Sequence, residues 1–139
     1  MTKLLEPPVS EVSTPFWDAT REQRFVLPWS TATGKAMWYP READPVDPGA
    51  PIEWRDASGE GTVYAFSVHH RAGPGRDEAD GPYVVAIIEL AEGVRMMSNV
   101  VRCPPDDVAV GMPVRVTWLP LSDGRHLPQF TPTTPTTPA

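Results

Sequence analysis

Four residues of this chain have the spacing of a metal site and the wrong chemistry for one. Ser30 and Thr33 stand two residues apart, with Gly34 behind them, and Asp44 and Asp47 repeat that spacing eleven residues on, among Pro45, Pro48 and Gly49. A structural zinc site places cysteine at such positions, because two C-x-x-C turns deliver four thiolates to one tetrahedral ion. A hydroxyl pair plus a carboxylate pair is a hard-oxygen set that suits zinc poorly. The same residue types also form ordinary turns, since their side chains bond nearby backbone N–H groups. The expectation is a vacated site that holds no metal.

The remaining chemistry-bearing residues do not assemble into a catalytic set. His69 and His70 are adjacent in a β-prone run, so they point to opposite faces and cannot chelate one ion together. One is expected to be packed and the other exposed, and His126 is expected in a polar turn. Cys103 precedes Pro104 with no local base or electropositive setting, which predicts a buried or half-buried thiol rather than a nucleophile. Gly59-Glu60-Gly61 lacks the third glycine and the following helix of a dinucleotide fingerprint, and is expected to permit a bulge. Asp106-Asp107 and the Glu78/Asp80 pair lie in turn sequences, where carboxylates are solvated. The chain is expected to be no enzyme by itself.

The elements that position these residues are short. The sequence has 139 residues, 18 prolines, a single cysteine and a formal net charge of −6. That charge argues against a general nucleic-acid binder, which needs clustered Lys and Arg. There is no apolar run of membrane-spanning length and no charged-then-apolar leader pattern, and a lone cysteine suits a reducing cytoplasm. Residues 1–23 read as an arm and a short helix from Pro15 to about Gln23, capped by Thr14. Residues 24–56 read as a small module in which Arg24–Trp29 and Lys35–Tyr39 form a hairpin of the kind that opens a zinc ribbon, before a proline-rich loop. From 57 to 130 the pattern is of strands: 61–71, 82–90, 94–102, 113–119 and a short closing run at 127–130. Five short strands without a long helix predict a small closed barrel. Residues 131–139 repeat Thr and Pro and are expected to be disordered.

Phe16, Trp17, Trp29, Trp38 and Tyr39 crowd into the segment ahead of the barrel. A module this small, without a metal, has two uses for such rings. They build a mini-core in place of the ion, or they face a partner, as Trp and Tyr do at interfaces. Both readings stay open; Phe16, Trp17 and Trp38 are the candidate interface residues.

The order of these features resembles a known family. Pro15-Phe16-Trp17, the spacing at 30, 33, 44 and 47, Tyr39-Pro40-Arg41, Ser58-Gly59-x-Gly61-Thr62-Val63-Tyr64, Pro82-Tyr83-Val84-Val85-Ala86, Glu89-Leu90 with Gly93, Gly111-Met112-Pro113-Val114 and Leu127-Pro128-x-Phe130 follow one another over residues 14–130. This is similar to the zinc-ribbon-plus-OB-fold proteins that accompany thiolase-like acyl-CoA enzymes, with the ligand cysteines replaced. The resemblance implies a mainly β fold: an OB-fold barrel of five strands behind a short helix and a degenerate, metal-free ribbon hairpin. It implies a non-catalytic accessory subunit of a thiolase or retro-aldolase, in a two-plus-two heterotetramer, and in some members a MaoC-type hydratase alongside. The CoA thioester would be bound by the partner enzyme, in lipid or sterol side-chain degradation. The alternative is a stand-alone OB-fold binder of single-stranded nucleic acid, using Tyr64, Phe66 and Tyr83 as stacking rings.

Overall fold

A computed structural model describes residues 6–73, 76 and 78–133. A seven-residue helix, α1 (Thr14–Thr20), precedes a two-stranded sheet of β1 (Val26–Ser30) and β2 (Ile52–Asp56). Five strands then close a barrel: β3 (Glu60–His69), β4 (Tyr83–Leu90), β5 (Arg95–Val100), β6 (Pro113–Pro120) and β7 (His126–Pro132), in the order β3-β4-β5-β7-β6. The expected OB-fold barrel is therefore present. No helix among the described residues is long and apolar enough to cross a membrane.

Period-two patterning makes the barrel. Along β4, Val84, Ala86, Ile88 and Leu90 are buried, while the residues between them are half-buried. Val63, Met96, Val100, Val114 and Phe130 fill the interior from the other strands. β3 bends between β4 and β6, and glycine permits the closure. A Cβ on Gly59, which has φ +78°, would lie 2.6 Å from Val116 Cγ1, and one on Gly61 would lie 2.7 Å from the Glu89 carbonyl oxygen. These glycines serve close approach rather than the expected bulge. The register shift of β3 falls instead between Val63 and Ala65, at Tyr64.

Several local expectations are corrected. The helix starts at Thr14, with Ser13 as its N-cap, and stops at Thr20, not Gln23. Gln23 takes a left-handed backbone, φ 56°, which ends the helical path. Lys35–Tyr39 forms no strand; only Trp29 and Ala36 make an isolated bridge, and β1 pairs with β2 from Val26↔Asp56 to Ser30↔Ile52. Pro28 explains the choice. Its carbonyl accepts the Met37 N–H at 2.8 Å, so its missing N–H lies on the same side and removes a ladder bond there. His69 and His70 are both exposed, where one was expected to be packed: Val68 takes the covered face at that end of β3, His69 lies on the open face against Tyr83, and His70 follows the strand. His126 opens β7 instead of lying in a turn, because its backbone pairs with Pro120 and its ring lies against α1.

The strand that closes the barrel also runs longer than its sequence suggests. Thr131 pairs with Arg115 and Pro132 with Val114, and the Thr133 N–H bonds the Pro113 carbonyl at 3.1 Å. The expectation of a disordered tail fails for these three residues, and its remainder, 134–139, lies outside the described residues. Truncation after Phe130 should therefore lower the melting temperature, whereas truncation after Thr133 should leave it unchanged. Equal melting of both truncated forms would show that the last rungs of β7 contribute nothing.

Candidate functional site

The four positions at 30, 33, 44 and 47 divide into a buried pair and an exposed pair. Ser30 and Asp44 are 2% and 1% exposed. The Ser30 hydroxyl donates to Asp44 Oδ2 and accepts the Thr33 N–H at 3.0 Å. Asp44 Oδ1 accepts the N–H groups of Val46 at 2.8 Å and Asp47 at 3.3 Å. Thr33 and Asp47 point outward and bond only locally, to the N–H groups of Lys35 and Gly49. These oxygens are spent on one another and on backbone donors, so the set does not fit a zinc ion. Among the described residues no group of three or more His, Cys, Asp or Glu side chains is placed to hold a metal.

The Ser30 O–H, followed by the Val46 N–H, holds the Asp44 carboxyl below the usual carboxylate range, against the opposing effect of burial. Burial pushes Asp123 up, but the N–H and guanidinium of Arg125 outweigh it and leave its carboxyl lowered. A depressed native value means the unfolded chain takes up protons first, near pH 4. The stability these two groups contribute is complete above that pH and is lost as pH falls through their native values. Melting temperature should hold from pH 7 to 5 and fall below about pH 4, less steeply for Asp44→Asn. An unchanged melting temperature at pH 3 would refute the assignment.

The helix is tied to the far end of the barrel by polar contacts. His126 Nδ1 lies 2.8 Å from the Thr20 carbonyl, which places the ring proton on Nδ1, and the His126 N–H donates to Thr20 Oγ1 at 3.2 Å. Arg125, 5% exposed, bonds Asp123 at 2.7 Å and the Pro7 carbonyl at 2.8 Å, and its guanidinium lies 4.8 Å from the Trp17 ring centre. Glu6 accepts both the N–H and the hydroxyl of Ser122. Arm, helix and the β6–β7 turn are thus locked together.

This docking leaves a groove of about 520 Å³ between the arm, α1, the segment 38–40 and the β5/β7 seam of the barrel. None of its lining residues is charged, in a chain with 12 basic and 18 acidic residues. Phe16, Trp17 and Trp38 all line it. Phe16 and Trp17 are buried and Trp38 is half-buried. Ring centres run at 5.3 Å from Tyr39 to Trp38, 5.0 Å to Phe16, 6.3 Å to Phe25 and 6.2 Å to Phe130. The aromatic cluster is therefore a mini-core at one end, continuous with the barrel interior, and a surface at the other, where Tyr39 is 57% exposed. Sequence reasoning missed Met96 and Met97, which form the opposite wall; Met97 is 58% exposed. A Met pair in a barrel strand, with only one of the two able to point inward, was the available signal.

Elsewhere the side chains are quiet. Cys103 is half-buried and its thiol is pushed up by burial and by Asp107, which is opposite to what a nucleophile needs. Of the three rings proposed for base stacking, Phe66 is partly buried against the core, Tyr64 is 47% exposed, and Tyr64 and Tyr83 each carry an arginine of this chain. Arg95 lies 3.7 Å over Tyr64, and Tyr83 sits between Arg76 at 3.8 Å and His69 at 5.0 Å.

The architecture is that of an OB-fold module with an attached two-stranded sheet and helix. Residues 54–119 match the family described as ChsH2, C-terminal OB-fold domain. Over 121 residues the chain is 36% identical to the 3-oxo-4,17-pregnadiene-20-carboxyl-CoA hydratase alpha subunit of Mycobacterium tuberculosis, covering 86% of this chain and 38% of that one. It is 49% identical over 61 residues to a DUF35 domain-containing scaffold protein of Methanocaldococcus jannaschii, covering 44% of this chain and 43% of that one. The chain spans less than half the length of these relatives. A chain of the solved Ltp2-ChsH2(DUF35) aldolase superposes with a TM-score of 0.80 at 31% identity, over 91% of this chain and 98% of that one. A DUF35 protein from Sulfolobus solfataricus shares the fold, with a TM-score of 0.62 at 12% identity over 89% of this chain and 87% of that one. The chain belongs to the ChsH2/DUF35 OB-fold family.

Proposed function

We propose that this protein is a non-catalytic accessory subunit that docks on a thiolase-like acyl-CoA enzyme, a thiolase or retro-aldolase, and helps shape its acyl-CoA site. The observation that carries this reading is the match along 98% of a chain of the Ltp2-ChsH2(DUF35) aldolase. The uncharged aromatic groove supports it, since a subunit that must seat on a larger enzyme needs an apolar face rimmed by rings. Phe16, Trp17 and Trp38 are assigned to that interface, with Tyr39 and Met97 at its exposed edge. A homodimeric partner gives a two-plus-two assembly by symmetry. The CoA thioester is held by the partner, in the breakdown of lipid or steroid side chains in the cytoplasm. A hydratase of the MaoC type is a second partner, in keeping with the hydratase-subunit name of the mycobacterial relative.

Co-expression with a thiolase-like acyl-CoA enzyme of the same organism, sought first among the neighbouring genes, tests the reading. The two chains should co-elute, and acyl-CoA turnover should appear in the complex and not in this chain alone. Turnover by the isolated chain, or failure to co-elute with any such neighbour, would overturn it. Single-stranded DNA should not shift in a gel with this protein, because a chain of net charge −6 offers little of the basic groove that tracks a phosphate backbone.

The ribbon works without metal in this reading, its cysteine positions taken by Ser30, Thr33, Asp44 and Asp47. Elemental analysis of protein purified without chelator should find far less than one zinc per chain. Stoichiometric zinc that disappears on mutation of Asp44 and Asp47 would reverse that assignment.

A further inference from the structure

The segment 40–50 leaves the groove wall at Pro40 and returns to β2; its own polar tie to the rest of the fold is Asp44, and at its exit the Thr31 hydroxyl donates to the carbonyl of Pro51 at 2.7 Å. The Ser30 hydroxyl at the end of β1 donates to Asp44 Oδ2. The remaining hydrogen bonds of the segment, from the N–H groups of Val46, Asp47, Gly49 and Ala50, stay within it. Val46 is 71% exposed, so no apolar anchor at that residue holds the segment down. On the other side, Ser30 is fixed by β1, by its own N–H to the Lys35 carbonyl at 2.9 Å, and by its carbonyl to the Gly34 N–H at 2.8 Å. Both partners are almost wholly buried, where a hydrogen bond is costly to leave unmade. Trp38, Tyr39 and Pro40, one wall of the groove, lie between the turn fixed by Ser30 and the turn built on Asp44.

We propose that Ser30 and Asp44 are a positioning pair. Their buried hydrogen bond clamps the 40–50 segment onto β1 and so holds Trp38, Tyr39 and Pro40 as a rigid groove wall, the part a bound metal would play in so small a module. The clamp itself is independent of the partner reading; its effect on docking rests on that reading.

Hydrogen exchange on the full chain tests the clamp directly. Amides of residues 31–51 should exchange at least about tenfold faster in both Asp44→Ala and Ser30→Ala, while those of β3–β7 keep wild-type protection. Asp44→Asn should restore most of the protection, because its amide can accept the Val46 and Asp47 N–H bonds and donate to Ser30 Oγ. Unchanged exchange over 31–51 in both alanine variants overturns the proposal. So does equal loss of protection in the barrel, or an asparagine variant as loose as the alanine one. With a partner in hand, Asp44→Ala should bind it at least about tenfold more weakly. If wild type binds no partner, the accessory-subunit reading fails and the exchange result still stands. If wild type binds and the loosened Asp44→Ala binds equally well, the pair does not position the interface.

Discussion

Replacing Trp38 with alanine is expected to weaken the complex with the thiolase-like partner at least about tenfold while the free subunit stays folded. Trp38 is the second ring of the series from its open end, with one neighbour, Phe16, in the core and the other, Tyr39, largely in solvent. It is half-buried in the free subunit, so part of its area remains to be covered on docking. Trp17 is the weaker probe. It is 9% exposed, carries the Arg125 guanidinium on its face and packs edge-on against Phe16 at 5.2 Å. Its truncation opens a cavity worth roughly 3–5 kcal/mol and releases the helix, so a binding defect there would report folding. Titration of the partner with Trp38→Ala, alongside a thermal melt of the free variant, checks the expectation. Wild-type affinity would place the interface elsewhere on the barrel.

The largest loss of stability should follow Phe130→Ala. Phe130 is fully buried where β7 meets β5, pairing with Val100, and its carbonyl accepts the Val101 N–H at 2.8 Å. Its ring also packs edge-on against Phe25, just ahead of β1, so one side chain joins the barrel interior to the N-terminal module. Truncation of such a ring costs about 3–5 kcal/mol. For a chain of this size that is a drop of roughly 10 °C or more in melting temperature. Val110→Ala, at a residue 68% exposed, is the matched control and should change little. A drop of only a degree or two for Phe130→Ala would mean that the seam repacks around the missing ring.

The sequence alone determined whatever depends on neighbours along the chain. The alternation of Val84, Ala86, Ile88 and Leu90 shows a half-buried strand before any partner is known, because side chains alternate faces whatever lies beside them. Five short strands with no long helix between them then leave a barrel as the way to cover them. The spacing of Ser30, Thr33, Asp44 and Asp47 was legible for the same reason, as were the aromatic residues at 16, 17 and 38.

Tertiary structure decided which neighbours each element met. The run Lys35–Tyr39 has strand-forming residues, but Pro28 removes the donor facing it, and β1 builds its ladder on its other edge, with β2. His126 looked like a turn residue until Thr20, 106 positions earlier, supplied its partners. Thr131 and Pro132 have a disordered composition and are ordered only because β6 extends beside them. The division of the positions at 30, 33, 44 and 47 into a buried bonded pair and two exposed turn residues has the same origin. Burial is set by what the rest of the chain lays over a residue, and that information is not local. The groove exists only because the arm, the helix and the segment 38–40 converge on one seam of the barrel, a convergence fixed by contacts such as Arg125 to Pro7 that join residues over a hundred positions apart.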